Sequence, residues 1–201
     1  VVYFPKTNDE HYLSAFVSTD GADVMECNGT YYNTEEGAFE GEAILNNFPL
    51  ALVNGFLKQT DIQLQGTSNG VLDIRGQLDA PKINGEFAFN QASVYSDIYG
   101  FRFHLDEKPI RFENSEMLID NFLLKTQGKE PLTLNGTLDL RNSDNVEMDF
   151  NIKGKNFELI NTKRQYNSVA FGKLYVDVDC TLRGNTENIV VRGDFDVLNR
   201  T

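Results

Sequence analysis

Apolar and polar residues alternate with period two along most of this chain. Leu72, Ile74, Gly76 and Leu78 form one phase, and Asp73, Arg75, Gln77 and Asp79 form the other. The same pattern returns as Ile83, Gly85, Phe87, Phe89, then Phe101, Phe103, Leu105, then Ile110, Phe112. It continues as Leu132, Leu134, Gly136, Leu138, Leu140, and as Val146, Met148, Phe150, Ile152. Leu174, Val176, Val178, Cys180, Leu182 follow, and Ile189, Val191, Gly193, Phe195, Val197 close the series. Phe39, Gly41, Ala43 and Leu45 fit less cleanly, because Ile44 breaks the polar phase. Successive side chains of a strand point to opposite faces, so each run predicts a strand with one apolar and one charged face. Turn chemistry separates the runs: Asn69-Gly70, Asp79-Ala80-Pro81, Gln127-Gly128, Asn142 to Asn145 and Arg183-Gly184-Asn185. Short connections favour antiparallel neighbours, and an antiparallel sheet can leave one face in water.

One segment departs from this period. Leu50, Val53 and Leu57 have helical spacing, and Pro49 suits a first turn, so one short helix ending near Gly55 is expected. Ser14 to Ser18 reads as strand. A heptad-length motif also recurs as Leu72 to Leu78, Leu132 to Leu138 and Ile189 to Phe195, each with its glycine in the apolar phase. A glycine there removes a side chain from the inner face and permits a bend or a close approach. Repeated strand units that touch mainly their neighbours suggest an extended, stacked architecture. The expected fold class is all-β: an elongated antiparallel sheet with one short helix, the whole of 1–201 forming one β-rich segment.

Composition narrows the function. Thirty Asp and Glu against 18 Lys and Arg leave a net charge of −12, which opposes phosphate binding and excludes nucleic acid as a partner. The most apolar stretch, Phe48 to Leu57, is far shorter than the roughly 20 residues a membrane-spanning helix needs. Neither end carries a leader or a natural start, so the chain reads as a segment of a longer protein. Cys27 and Cys180 lie far apart and show no metal-ligand spacing; Cys180, in phase with Leu174, Val176 and Val178, reads as a buried small apolar residue, with a disulfide as the alternative. Asn28-Gly29-Thr30 and Asn135-Gly136-Thr137 match the glycosylation tripeptide, a weak signal. His11 and His104 have no nucleophile or metal partner at a telling spacing. Asp177 with Asp179, and Asp194 with Asp196, share the outward phase and read as solubility charge rather than a calcium loop. No nucleophile elbow, phosphate loop or zinc motif occurs. No catalysis and no cofactor are expected.

The order of these weak motifs resembles a known family. Phe48-Pro49-Leu50-Ala51-Leu52, then Gly70 to Phe87 with its strand, glycine, leucine, proline and glycine, is similar to the C-terminal region of TamB, the translocation and assembly module subunit. Asn90 to Val94, Tyr99-Gly100-Phe101, Ile110 to Ser115 and Leu132 to Leu138 extend the likeness over residues 45–198. Gln77 stands where threonine is usual, and residues 1–44 read only as further strands. The resemblance implies membership of the AsmA-like bridges of diderm bacteria. These are anchored in the inner membrane and cross the periplasm as a curled β-sheet, the β-taco, with an apolar inside. It also implies an Omp85-type outer-membrane barrel (TamA-like) as partner, and roles in outer-membrane protein assembly or phospholipid movement.

The leading expectation is an apolar groove for phospholipid acyl chains, with no catalysis. Its lining is expected from Leu72, Ile74, Leu78, Ile83, Phe87, Phe89, Leu132, Leu134, Leu138, Leu140, Met148, Phe150, Ile152, Leu174, Val176, Val178, Ile189, Val191, Phe195 and Val197. At about 0.8 kcal/mol per CH₂, two chains of roughly 15 methylenes cost on the order of 24 kcal/mol in water, which such a groove largely cancels. Two alternatives stand beside it. One is a scaffold whose strand edges pair with a barrel or its clients. The other is a secreted adhesin or carbohydrate-binding sandwich using Tyr31, Tyr32, Tyr95 and Tyr99.

Overall fold

The computed structural model describes residues 9–33, 38–55, 57, 61–77, 80–128, 130–142, 145–164, 169–185 and 187–198, and the backbone of 2–5. Strand β1 spans Val2–Pro5, β2 Glu10–Thr19, β3 Ala22–Tyr32, β4 Ala38–Pro49, β5 Gln63–Gly76 and β6 Pro81–Ser96. After them come β7 Phe101–Leu105, β8 Ile110–Glu113, β9 Glu116–Lys125 and β10 Leu132–Asp139. The last are β11 Glu147–Thr162, β12 Gly172–Asn185 and β13 Ile189–Leu198. Among the described residues all thirteen form one sheet in chain order, with β1 and β13 outermost. Every pairing is antiparallel. The all-β antiparallel sheet read from the alternation, with the curl that the resemblance implies, is the fold observed.

β7 and β8 are two halves of one interrupted strand between β6 and β9. β7 pairs Ser93–Ser96 of β6, and β8 pairs Gly85–Phe87. The gap is Asp106-Glu107-Lys108-Pro109, where Pro109 lacks the N–H a ladder needs. Asp106 still spans the gap, its N–H donating to the Leu123 carbonyl at 3.0 Å.

The expected helix is shorter and tighter than its sequence suggested. β4 runs through Phe48 and Pro49, and only Leu50–Gly55 turns, as a 3₁₀ helix. Phe48 and Pro49 pair with Ser68 and Thr67, so the sheet claims the residues that would have opened an α-helix. The Asn54 amide then replaces the missing strand: its Oδ1 accepts from the Leu64 N–H at 2.8 Å, and its Nδ2 donates to the Leu64 carbonyl at 3.0 Å.

Bulges bend the long strands, and alternation did not predict them. Two residues face one where Asn46-Asn47 oppose Asn69, Gln91-Ala92 oppose Gly66, Asp120-Asn121 oppose Asn135, and Lys155-Asn156 oppose Asp177. Asn47, Gln91, Asn121 and Asn156 all have left-handed backbones, with φ of 48°, 47°, 47° and 52°. A bulge frees one N–H from the ladder. Here a side chain takes up each one. Asn69 accepts from Asn47 at 2.8 Å, Glu107 from Gln91 at 3.2 Å, Asn135 from Asn121 at 2.7 Å and Asp177 from Asn156 at 2.6 Å. Bulges raise local twist, so these positions help curl the sheet.

The curl closes at one place. The Phe103 ring of β7 lies 5.5 Å from Phe157 of β11, although β9 and β10 intervene in hydrogen-bond order. The Val169 N–H of the β11–β12 connection donates to the Ile98 carbonyl of the β6–β7 turn at 2.8 Å. Inside this crease Leu132, Phe157, Val176 and Val178 form the core cluster, with Phe103, Leu124, Ile152, Leu174 and Cys180 packed against it.

Candidate functional site

The strand registers thread one apolar row through nearly the whole sheet. Its members pair in succession: Ala15, Cys27, Ala43, Leu72, Gly85, Phe112, Met117, Leu138, Met148, Gly184 and Ile189. At about 4.8 Å between neighbouring strands, these ten steps run roughly 48 Å. A bilayer's hydrocarbon core is about 30 Å thick, so one acyl chain spans about 15 Å, and the row is some three chains long. No member of the row carries a charge.

The lining residues named from the sequence fall on this face, and their burial is graded. Only Leu132, Val176 and Val178 are buried, in the crease. Leu72, Ile74, Ile83, Phe87, Phe89, Leu134, Leu138, Met148, Phe150, Ile152 and Leu174 are half-buried, as is Leu140 just beyond β10. On β13 the face stands open: Ile189, Val191, Phe195 and Val197 are 53%, 62%, 56% and 62% exposed. Leu78 lies outside the described residues.

Aromatic rings floor the middle of the face. Phe87 meets Phe89 edge to face at 5.2 Å and Phe112 at 5.9 Å, and Phe89 meets Phe122 at 6.1 Å. Phe112 and Phe122 are buried there with Ile110. At the far end a cavity of ≈ 510 Å³ is walled by Leu13, Tyr31, Phe39, Ile74, Gly76 and Pro81, with Arg75 and Gln77 at its edge. The Phe39 ring occupies the space that a side chain on Gly29 or Gly41 would fill.

Two of the recurrent glycines make the close approach that a missing side chain permits. Gly136 and Gly193 have φ of +146° and +145°. A Cβ on Gly136 would run into the Asp149 carbonyl oxygen and stand 2.8 Å from the Phe150 Cα. Only glycine tolerates both the backbone and the approach.

The opposite face is charged. Lys153 pairs with Asp179 at 3.3 Å, Lys155 with Asp177 at 3.0 Å, and Arg183 with Asp149 at 2.9 Å. The Asn156 N–H and then Lys155 hold the Asp177 carboxyl below its ordinary range. Hydrogen bonds from Arg141 bring Asp139 down to about 2. Glu158 is buried, with Tyr175 and Asn161 donating to it at 2.8 and 3.0 Å. Among the described residues no three His, Cys, Asp or Glu converge as metal ligands.

Other expectations resolve individually. Cys27 and Cys180 are free thiols, and burial pushes both pKa values up. Asn28 is engaged on β3, its Oδ1 accepting from the Ser14 hydroxyl at 2.7 Å. The four tyrosines do not form a loop platform. Tyr31 and Tyr32 belong to β3, and Tyr95 belongs to β6 with its hydroxyl on Gln63 at 2.6 Å; Tyr99 alone stands exposed in a turn. Sequence reasoning missed Phe122 and Phe157, which sit where the alternation slips from Ile119 to Phe122 and from Gly154 to Phe157. That three-residue slip is the signal that could have found them.

A family model of the TamB C-terminal domain matches residues 120–200. Over these residues the chain is similar to the TamB C-terminal domain. The matched stretch runs from within β9 through β13 and contains the buried cluster of Leu132, Phe157, Val176 and Val178, while Phe103 on the other side of the crease lies outside it. Residues 45–119, where the sequence likeness was also read, continue the same sheet and the same apolar row. No curated protein and no solved structure matches the chain.

Proposed function

We propose that this TamB-like chain is a non-catalytic envelope segment whose apolar face carries phospholipid acyl chains across the periplasm. The observation that carries this reading is the uncharged row from Ala15 to Ile189, buried at Ala43 and Phe112, partly open over most of its other members and more than half exposed at Ile189 on β13. A closed globular domain hides such a row; exposed apolar patches of this extent mark binding surfaces. Leucine, isoleucine, valine and phenylalanine supply no polar handle, so the face selects hydrocarbon and leaves the headgroup in water along the rim. An Omp85-type outer-membrane barrel (TamA-like) is the proposed receiver, and the assembly of outer-membrane proteins is the companion role.

The test is recovery of lipid from the protein purified out of a diderm envelope without detergent. Native mass spectrometry is expected to find phospholipid bound, and a photoreactive amino acid at Phe150 to cross-link to acyl carbons. Lipid-free protein, together with no lipid adduct at Phe150, overturns the proposal.

A further inference from the structure

Asparagine is followed by glycine at five positions: Asn28, Asn54, Asn69, Asn84 and Asn135. Glycine has no side chain to shield its nitrogen, so in this dipeptide the backbone nitrogen reaches the neighbouring side-chain amide most readily. The attack brings that nitrogen onto the asparagine Cγ. A strand bonded on both sides does not permit this without opening. Gly29, Gly70, Gly85 and Gly136 are each paired with a strand on both sides.

Gly55 differs. It closes the Leu50–Gly55 turn, and the space where a Cβ would stand is open. The turn is tied to β5 through the Asn54 side chain. Leu64 lies beyond the last β4 pairing, that of Pro49 with Thr67, and the Asn54 amide takes up its N–H and its carbonyl. Breaking these two bonds frees the Asn54 amide. Freeing the backbone at any of the other four means opening a ladder on two sides. Turns open locally far more often than paired strands do.

We propose that Asn54 is a site of spontaneous deamidation, and that the reaction unlatches the Leu50–Gly55 turn from β5. The Gly55 nitrogen attacks Cγ of Asn54. Nδ2 leaves as ammonia, taking the proton from that nitrogen, and a cyclic imide remains. Water then opens the imide at either carbonyl, giving aspartate or isoaspartate; no electrons are exchanged with any other group. The aspartate can still accept from the Leu64 N–H. It cannot donate to the Leu64 carbonyl, and a carboxylate oxygen then faces that carbonyl across the former 3.0 Å bond. Isoaspartate in addition lengthens the backbone by one carbon. The latch therefore runs in one direction. This site is independent of the apolar face and stands without it.

The test holds the intact folded chain in mildly alkaline buffer at body temperature and follows all five asparagines by peptide mapping with mass spectrometry. Asn54 should convert at least about tenfold faster than any of the other four, and in denaturing urea the five rates should draw together. Gly55→Ala, whose added methyl meets open space, should slow Asn54 to the level of the other four with the circular dichroism unchanged. Asn54→Asp carries the product's chemistry without the reaction. It should keep the sheet by circular dichroism, and thermolysin should cut it within residues 50–55 several-fold faster than wild type. Equal rates at the five positions in the folded chain, faster conversion at one of the four strand asparagines, no conversion at Asn54, or an Asn54→Asp chain cut no faster than wild type overturns the proposal.

Discussion

Replacing Val191 and Phe195 by aspartate tests the open wall directly. Phe195 is 56% and Val191 62% exposed, so neither carries much of the folded state. A phenylalanine side chain offers about 200 Å² and a valine about 150 Å², which leaves roughly 110 and 90 Å² facing outward. At about 25 cal/mol per Å², covering that surface with hydrocarbon is worth roughly 3 and 2 kcal/mol. Ile189 and Val197 add about 2 kcal/mol each on the same reckoning. The four together supply about 9 kcal/mol as an upper bound, more than a third of the 24 kcal/mol that two acyl chains cost in water. Val191→Asp with Phe195→Asp removes over half of that contribution and places charge in the wall. Lipid per protein, counted by mass spectrometry after detergent-free purification, should fall at least several-fold. Urea unfolding should shift by less than about 1 kcal/mol, as for substitutions at exposed sites. Wild-type lipid content in the double variant would refute the reasoning, and so would a large loss of stability, which would show the wall to be packed core.

Three further outcomes follow from the geometry. Gly136→Ala should cost about 2–5 kcal/mol in chemical denaturation, combining a forbidden backbone with overlap onto β11, whereas Gly55→Ala, with open space around it, should be near neutral. Phe157→Ala, in the crease, should cost about 3–5 kcal/mol in the same measurement; a cost below 1 kcal/mol would mean the crease is not packed. The Asp139 carboxyl is held down to about 2 against an ordinary 3.8, so its bond with Arg141 stabilises the fold above about pH 4 and fades as pH falls through about 2. Arg141 is 68% exposed, so solvent screening keeps the contribution small; Arg141→Ala should lower the denaturation midpoint at neutral pH and lower it less at pH 2.

The strands were legible because burial on one face writes itself into every second residue, and from Leu132 to Leu138 or Ile189 to Val197 nothing competes with that signal. Proximity that depends on three dimensions was not legible. Phe103 and Phe157 meet only because β9 and β10 stop short and the sheet folds over them. The bulges lay between these extremes. Asn47, Asn121 and Asn156 look like polar-phase residues until one sees that each is an extra residue, its N–H held by a side chain on the neighbouring strand. The helical spacing of Leu50, Val53 and Leu57 was real but too short to outweigh pairing of Phe48 and Pro49 with β5. The lining set was read in phase but not in depth, because alternation says which way a side chain points and not what lies above it. The interruption at Pro109 was visible as a residue and not as the division of one strand between β7 and β8.

Strict chain-order pairing has one more implication. With each strand bonded to its chain neighbours, β7 and β8 counting together as one, a hairpin can be gained or lost by gene duplication or deletion while the profile of the channel stays the same. Reach becomes a quantity that evolution sets by counting hairpins, so homologues fitted to wider or narrower gaps between two membranes should differ by whole multiples of two strands.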